Sequence, residues 1–373
     1  MKLLVCCVPY DSGHSGVSVY IDHVVRALAA QGHDLTLITE HSSRKHFADY
    51  AQVSLPALCD NAVLSMLYCL FVLPWRIVRG RYDRLLMLAA TRRMVAWSPC
   101  PVVAVAHDLA IYHVQSKYDP VRTFYIKVCL PFFVRRAWRV VAISRATRED
   151  LIRHWRVPVD KIRVNHNGLS LPQKHRDGWS AALGLASGRY ILYVSRIEHP
   201  GKNHINLIKA YEQLAPELIE RYQLVIVGAD WSGAEAVHDY ARQSPAALGI
   251  LFAGYIAAED MADAYRHAAC YVFPSRFEGF GLSLIEAMHY GLPCAAANTS
   301  SLKEIGEGVA LLFDPEEPTA IAEAITALLT DDAVRERCRQ DGFARAAQFT
   351  WEKHARHLVG DGGEVVAEKV ADA

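Results

Sequence analysis

An alternation of short apolar runs with helical patterns recurs along the chain and constrains its fold more than any other feature. Short apolar runs between glycine and proline loops are typical of strands buried in a parallel sheet, and the helical patterns between them indicate βαβ units. The pattern therefore predicts an α/β protein with doubly wound, Rossmann-like sheets. The predicted strands are residues 3–8, 35–39, 85–88, 102–106, 140–143, 190–194, 224–227, 249–253, 270–273, 294–297 and 309–313.

The alternation lapses once, around residues 165–188, where the sequence begins NHNGLSLPQKHRDGWS and is polar and punctuated by glycine and proline. Such a stretch is typical of a linker. A chain of 373 residues is long enough for two domains, each with its own core. We therefore predict two Rossmann-like domains, residues 1–170 and 171–349, that face a cleft.

Composition and cysteine usage bound the class of protein. The chain is 52% apolar and 21% charged, as ordinary globular proteins are. Its longest apolar run, residues 62–75, is predicted to be too short to cross a bilayer, and the N-terminal MKLLVCCVPYDSG is typical of a first strand and not of a signal peptide. Nine cysteines without metal-like spacing favour a reduced, cytoplasmic protein without a metal site.

Charge is divided unevenly between the two halves, although the net charge is zero. Residues 1–170 carry 22 Lys and Arg against 12 Asp and Glu, a difference of +10. Residues 171–373 carry 18 against 28, a difference of −10. The split suggests that the first half faces something anionic.

The stretch SRFEGFGLSLIEAMHYGLP, residues 275–293, predicts a strand exit, a glycine loop and a helix that begins at Leu282. This geometry aims backbone N–H groups at an anion. The helical pattern is apolar on nearly every side, which predicts a buried helix. Its one carboxylate, Glu286, then needs a hydrogen-bond donor.

Glu278 lies in the loop itself, eight positions before Glu286. Two carboxylates around a helix N-terminus suit a ligand that carries both phosphates and paired hydroxyls. The alternative is one salt-bridged glutamate and one loop glutamate without a ligand.

Arg196 follows the predicted strand 190–194, and Lys202 comes six residues later. Arginine supplies bidentate hydrogen bonds and lysine a point charge, so the two could clamp a diphosphate at the sheet edge that carries the 275–293 loop. The alternative is two exposed basic residues in a turn.

Two polar loops mark the first half. GHSG, residues 13–16, follows the first strand, but its spacing does not fit GxGxxG, so a nicotinamide cofactor is not expected. His107 and Asp108 end the strand 102–106, at the kind of position where open α/β sheets bind ligands. The alternatives are a tight turn that packs helix on strand for the first loop, and a helix cap or turn for the second.

Several motifs together resemble one family. Arg196 with Lys202, then EGFGLSLIE at residues 278–286 and GLPCAAANTSSLKEIGEGVALLFDP after it, resemble the retaining glycosyltransferases of family 4 in the GT-B class. VVAISRATREDLIRHWRVPVDKIRVNHNG resembles the end of that family's first domain, and TWEKHARHL resembles the helix that crosses back onto it. The resemblance therefore implies a C-terminal helix within residues 350–373 that packs on the first domain.

The resemblance implies a role for each matching residue. Arg196 and Lys202 would hold the donor diphosphate and neutralise the leaving group. Glu278 would accept hydrogen bonds from the donor sugar, and Glu286 would bind the ribose diol. The remaining implied contacts are the backbone of Gly279, Phe280, Gly281 and Leu282 with the sugar and phosphates, Gly254, Tyr255 and Ile256 along the base, Gly16 with the diphosphate, and His107 over the sugar near the reacting centre.

The family implies transfer of a hexose from a nucleotide-diphosphate sugar, GDP- or UDP-linked, with retention and without a metal or other cofactor. The acceptor would be a saccharide or a lipid-linked saccharide in bacterial polysaccharide or glycolipid synthesis, and no nucleic-acid partner is expected. Many relatives have the lysine five residues after the arginine; some mannose-transferring members share the spacing of six, which favours mannose. The alternatives are a GT-B sugar-nucleotide epimerase and a non-catalytic nucleotide-sugar-binding protein.

Basic residues flank apolar and aromatic ones twice in the first half. This arrangement suits an interfacial helix on anionic lipid, so we expect contact with the inner face of the cell membrane. The alternative is a core helix with a solvated basic face. The basic residues are Arg76, Arg79, Arg81 and Arg84 after the 62–75 run, and Arg122, Lys127, Arg135, Arg136 and Arg139 along a helix predicted over residues 121–138.

Overall fold

The computed structural model describes residues 1–13, 15–113, 120–172 and 174–360. The chain divides into two compact units. Unit 1 comprises Met1–Gly168 and the segment from Thr350 onward, and unit 2 comprises Leu169–Phe349. Residues 361–373, which belong to the predicted C-terminal helical region, lie outside the described residues, as does His14 of the GHSG loop.

Thirteen strands and sixteen α-helices form the described part of the chain. The strands are β1 (Lys2–Cys6), β2 (Asp34–Thr39), β3 (Ala51–Ser54), β4 (Arg84–Met87), β5 (Val102–Ala106), β6 (Arg139–Ala142), β7 (Ile162–Val164), β8 (Tyr190–Val194), β9 (Gln223–Val227), β10 (Ile250–Gly254), β11 (Cys270–Phe273), β12 (Cys294–Ala297) and β13 (Leu311–Phe313). The helices are α1 (Gly16–Ala30), α2 (Ala62–Leu67), α3 (Leu73–Ile77), α4 (Pro120–Phe124), α5 (Leu130–Arg135), α6 (Arg145–Trp155), α7 (Trp179–Ala182), α8 (His204–Glu212), α9 (Pro216–Arg221), α10 (Ala234–Gln243), α11 (Ala258–Arg266), α12 (Leu282–His289), α13 (Ser300–Gly306), α14 (Pro318–Thr330), α15 (Asp332–Ala346) and α16 (Trp351–Val359).

Each unit is organised on one parallel sheet. The sheet of unit 1 has the order β3–β2–β1–β4–β5–β6–β7, and that of unit 2 has the order β10–β9–β8–β11–β12–β13. In each sheet the first strands of the unit lie side by side in one direction from a central strand, and the later strands lie on the other side of that strand. This is the doubly wound arrangement that the alternation predicts.

Helix α16 packs on α1 within unit 1. The ring of Trp351 stacks on His23 with centroids 5.0 Å apart, and the hydroxyl of Tyr20 lies 2.6 Å from Nε2 of His354. The Nδ2 of Asn165 donates to the carbonyl of His354 at 3.0 Å. A Cβ on Gly168 would meet the backbone nitrogen of Trp351 at 2.4 Å, so a glycine is needed where the chain leaves unit 1.

The helical segment Ala62–Gly80 combines α2, a π-helical stretch (Tyr68–Val72), α3 and a final 3₁₀ turn (Val78–Gly80). We predicted that the apolar run at residues 62–75 is too short to cross a bilayer. This prediction is wrong about the length of the helix, because the helix continues to Gly80. With 19 residues it is long and apolar enough to cross a membrane by length and composition alone. However, 39% of its most apolar stretch is buried inside the protein, so it also serves as a core helix of unit 1.

Candidate functional site

The sheet of unit 2 changes direction between β8 and β11, which are neighbours although they are far apart in the chain. In open α/β sheets the loops that leave two such strands bound a crevice where ligands bind. Arg196 and Lys202 follow β8, and Glu278 follows β11. These three predicted site residues therefore lie on the two loops at this switch point, as do Gly279, Phe280 and Gly281.

Hydrogen bonds join these two loops. The backbone N–H of Arg276 donates to the carbonyl of Gly201 at 3.0 Å, and its guanidinium donates to the carbonyl of Pro200 at 3.1 Å. Asn203 donates from Nδ2 to the carbonyl of Pro274 at 3.0 Å. Because these bonds reach backbone atoms on both sides, the position of each loop fixes that of the other.

Lys202 and Glu278 meet across the two loops. The Nζ of Lys202 lies 2.6 Å from Oε1 of Glu278, and both side chains are mostly buried, with 19% and 14% of their surfaces exposed. The hydroxyl of Tyr193 donates to the carbonyl of Lys202 at 2.8 Å, which anchors the lysine backbone to β8. The pair places a cation beside a carboxylate that can accept further hydrogen bonds.

Arg196 has different partners. Its Nη2 donates to Glu198 at 3.0 Å, and its guanidinium lies 5.0 Å from the ring centre of Trp231. Half of its side-chain surface is exposed. The structure thus brings Lys202 together with Glu278, whereas the guanidinium of Arg196 is held by an acidic and an aromatic neighbour on its own side of the crevice.

The glycine loop ends at Gly281, which is the N-cap of α12 and has φ of +101°. That conformation favours glycine, and a Cβ there would lie 2.7 Å from Cδ2 of Leu302. Glycine has no side chain to cap the first turn, and the N–H of Leu284 donates to the carbonyl of Gly281 at 3.1 Å, so the N–H groups of Leu282 and Ser283 are the ones that could donate to an anion. Phe280 is buried against Phe349, with ring centres 5.7 Å apart, which fixes the loop.

Glu286 lies on α12 and accepts a hydrogen bond from the hydroxyl of Tyr265 at 2.9 Å. Burial raises the pKa of this carboxyl group from 4.5 to about 7, and the Tyr265 bond opposes the rise. The donor that the buried carboxylate needs is therefore a tyrosine. Carboxyl groups with raised pKa values are frequent at functional sites, although buried structural pairs have them too.

Gly254, Tyr255 and Ile256 lie at the carboxyl end of β10, the edge strand of the sheet. Gly254 has φ of +68°, which turns the chain sharply after the strand. Tyr255 is 78% exposed and Ile256 is buried. The turn therefore presents an aromatic ring at the same sheet edge as the switch-point loops.

Two predicted residues belong to unit 1. Gly16 begins α1, and a Cβ there would meet nothing within 4 Å, so packing in unit 1 does not require a glycine. His107 follows β5 and is buried, with its Nε2 donating to the carbonyl of Leu88 at 2.7 Å. Burial lowers the pKa of His107 to about 4, so this imidazole is neutral at physiological pH.

Unit 1 also contains a polar cavity of about 250 Å³ that the sequence did not reveal. It lies beyond the ends of β1, β2 and β4. Glu40 accepts a hydrogen bond from the backbone of Tyr10 at 3.0 Å, and burial raises the pKa of its carboxyl group. The signal in the sequence is a charged residue soon after each of three neighbouring strands. The polar lining residues include Tyr10, Asp11, Glu40, Asp60, Arg92 and Arg93.

Both units match known family models. Residues 14–172 match the model described as Glycosyltransferase Family 4, and residues 176–345 match the one described as Glycosyl transferases group 1. Among solved structures, sucrose-phosphate synthase from Thermosynechococcus elongatus has a TM-score of 0.75 at 23% identity, with 96% of this chain and 97% of that one covered. This likeness shows that the chain has the same fold.

The chain is also similar in sequence to named mannosyltransferases. The chain is 30% identical to O-antigen chain mannosyltransferase B of Escherichia coli, over 67% of this chain and 67% of that protein. It is 28% identical to the serotype-specific mannosyltransferase WbdA of Escherichia coli, over 71% of this chain. The second match spans only 33% of WbdA, so the chain corresponds to about a third of that longer relative.

Two doubly wound units that share the fold of the sucrose-phosphate synthase structure and match both family models show that the chain is a glycosyltransferase of the GT-B class. The chain belongs to glycosyltransferase family 4, as its motifs indicate, and it is a transferase enzyme. The predicted fold class and family are thereby confirmed. The roles of the individual site residues stay predictions.

Proposed function

We propose that this enzyme transfers mannose, with retention of the anomeric configuration, from a nucleotide-diphosphate sugar to a saccharide acceptor. The observation that carries the proposal is the Lys202–Glu278 pair on the two switch-point loops. Two features favour mannose: the spacing of six between Arg196 and Lys202, and the name of the relative that is 30% identical.

The chemistry follows from these groups. The bond between the anomeric carbon and the diphosphate oxygen breaks, and a bond to the acceptor oxygen forms on the same face. The acceptor proton passes to the departing phosphate oxygen. Lys202 and Arg196 stabilise the negative charge that develops there, and Glu278 holds the sugar hydroxyls. This route needs no metal, because the protein cations carry the electrostatic role.

The acceptor is proposed to use the polar cavity of unit 1. Its lining offers both carboxylates and guanidinium groups, which suit a ligand rich in hydroxyls. Ala62 also lines the cavity and begins the segment Ala62–Gly80. A saccharide head in the cavity would therefore lie beside an apolar helix, which favours a lipid-linked acceptor.

An apolar surface on unit 1 supports contact with a membrane. Helical segment Ala62–Gly80 and the helix from α4 to α5 both bury one side in the same hydrophobic core and expose a stripe on the other. We call the two stripes together the apolar face. Its residues are Leu64, Leu67, Phe71, Trp75 and Val78 on the first helix, and Val121, Phe124, Val128 and Phe132 on the second.

Exposed basic residues accompany the apolar face, including Arg79, Arg81, Lys127 and Arg136. Aromatic residues beside basic ones suit the headgroup region of anionic lipid. Arg139 does not belong to this set: it lies in β6, is buried and packs 4.4 Å from the ring centre of Trp138. We therefore propose a cytoplasmic enzyme peripheral to the inner face of the cell membrane, where its nine free cysteines would stay reduced.

A transfer assay tests the proposal. The enzyme is incubated with GDP-mannose or a UDP-hexose and a saccharide acceptor, and the anomeric configuration of the first-formed product is read by NMR. Retention at the anomeric carbon is expected. Inversion, or an epimerised donor in the absence of acceptor, would contradict it and favour the epimerase in the second case. A chain that binds the donor but transfers no sugar to any acceptor would be the non-catalytic alternative.

A further inference from the structure

His113, Asp150 and His154, none of which is assigned above, converge in unit 1. The Nε2 of His113 lies 2.7 Å from one oxygen of Asp150, and the Nε2 of His154 lies 3.8 Å from the other. The three potential ligand atoms all lie within 4.8 Å of one another. The sequence alone does not show this cluster, because 37 positions separate His113 from Asp150.

The fold builds the cluster from two elements. Asp150 and His154 are four residues apart on α6, so they share one face of that helix. His113 comes from the loop after β5. The hydroxyl of Thr147 donates to the carbonyl of His107 at 3.3 Å, which fixes the start of this loop on α6.

Aromatic contacts fix the other end of the loop. The ring of Tyr112 stacks on His154, with ring centres 4.1 Å apart and planes within 8°. The Nε1 of Trp155 donates to the hydroxyl of Tyr112 at 3.2 Å. These contacts limit the rotation of His154 and place the neighbouring His113 over the same face of α6.

We propose that His113, Asp150 and His154 bind a divalent transition-metal ion of the zinc class. Two imidazoles and one carboxylate are a donor set that zinc accepts, with water in the fourth position. The side chains of the two histidines are 31% and 25% exposed, which leaves an open side for that water, whereas Asp150 is buried.

The ligand atoms would have to move to reach the geometry of a tetrahedral ion. Ligand atoms about 2.0–2.2 Å from such an ion are roughly 3.4 Å apart, whereas the Nε2 of His113 lies 2.7 Å from its Asp150 oxygen and the three potential ligand atoms lie within 4.8 Å of one another. The ion would replace the proton between His113 and Asp150. It would clamp the loop after β5 to α6 and take no part in the proposed transfer, so this site is independent of the proposed function.

The test measures metal content and ligand geometry in the full chain. After dialysis against Zn²⁺, the wild-type protein is expected to retain one ion per chain. Co²⁺ in its place is expected to give the visible absorption of a tetrahedral site. His113→Gln and His154→Gln should each weaken Zn²⁺ binding at least tenfold, with circular dichroism spectra like that of the wild type.

His238→Gln is the matched control, because His238 also lies 2.8 Å from a carboxylate, that of Asp230, in an ion pair that contains no second histidine. It should retain the ion. Absence of stoichiometric Zn²⁺ from the wild type, or equal retention by His154→Gln and His238→Gln, would overturn the proposal. If either glutamine variant fails to fold, Asp150→Asn measured in the same way decides. Nucleotide binding by unit 2 is not involved, so failure here leaves the proposed function intact.

Discussion

Glu286 holds its proton to a higher pH than a free glutamate, because burial raises its pKa from 4.5 to about 7. Between these two values the folded chain binds a proton that the unfolded chain has lost. Unfolding therefore releases a proton, and stability falls as the pH rises from about 4.5 to about 7. Above that range the cost of the buried charge is constant.

Glu286→Gln should remove this dependence, because glutamine does not titrate and still accepts the bond from Tyr265. From pH 5 to pH 8 the wild type should lose up to about 3 kcal/mol of unfolding free energy that the variant keeps. Urea unfolding of both proteins at the two pH values measures it. Parallel pH profiles would show that the carboxyl group of Glu286 is not buried as described.

The sequence predicts which residues lie at the same edge of the sheet, but it does not predict which of their side chains contact each other. Lys202 and Glu278 were both placed at one sheet edge, because parallel strands end there together. Their direct contact, across 76 positions, depends on how two loops pack and has no signature in the sequence. The partners of Arg196 and Glu286, namely Glu198 and Tyr265, likewise follow from packing.

At the scale of elements, the start of α12 depends on one glycine. Gly281→Ala places a Cβ in a left-handed conformation and against Leu302, so we expect a loss of about 1–3 kcal/mol in unfolding free energy. Gly16→Ala is the control, since its Cβ would enter open space at the first residue of a helix. Urea unfolding should show a loss only for the first variant. Equal stability of the two would contradict this account of the loop.

Strands with an apolar run were predictable, including the edge strands β10 and β13 of unit 2, whereas the two edge strands of unit 1 were not. The bounds of β5, β8, β11 and β12 agree with the apolar runs of the sequence. β3 (AQVS) and β7 (IRV), at the two edges of the unit 1 sheet, were missed because a polar residue interrupts each of them, so neither forms an apolar run. The π-helical stretches at Tyr68–Val72 and Tyr125–Cys129 also have no signal in hydrophobic periodicity.

At the scale of the whole molecule, the apolar face should bind anionic vesicles at low salt. Binding should weaken as salt is added, since charge interactions are screened over roughly 10 Å at 0.1 M. Replacing Trp75 and Phe124 together with serine should lower vesicle affinity at least tenfold in a sedimentation assay, because two exposed aromatic side chains no longer leave water on binding.

Phe343→Ser is the control for this experiment, because Phe343 is a similarly exposed aromatic residue on α15 of unit 2. It should bind vesicles as the wild type does. A wild-type protein that ignores anionic vesicles at low salt, or a double variant that binds like Phe343→Ser, would leave the apolar face without a lipid partner.

The central claim is that the switch-point loops of unit 2 hold the diphosphate of a nucleotide donor. Calorimetric titration with GDP, UDP, ADP and dTDP tests it most directly, on the wild type and on Lys202→Met, with Lys209→Met on α8 as control. We predict that one of the four binds the wild type and the control equally. Lys202→Met should bind it about 10- to 100-fold more weakly, because a hydrogen bond to a charged group contributes about 1.5–3 kcal/mol. Failure of all four to bind, or one affinity shared by all three proteins, would contradict the account.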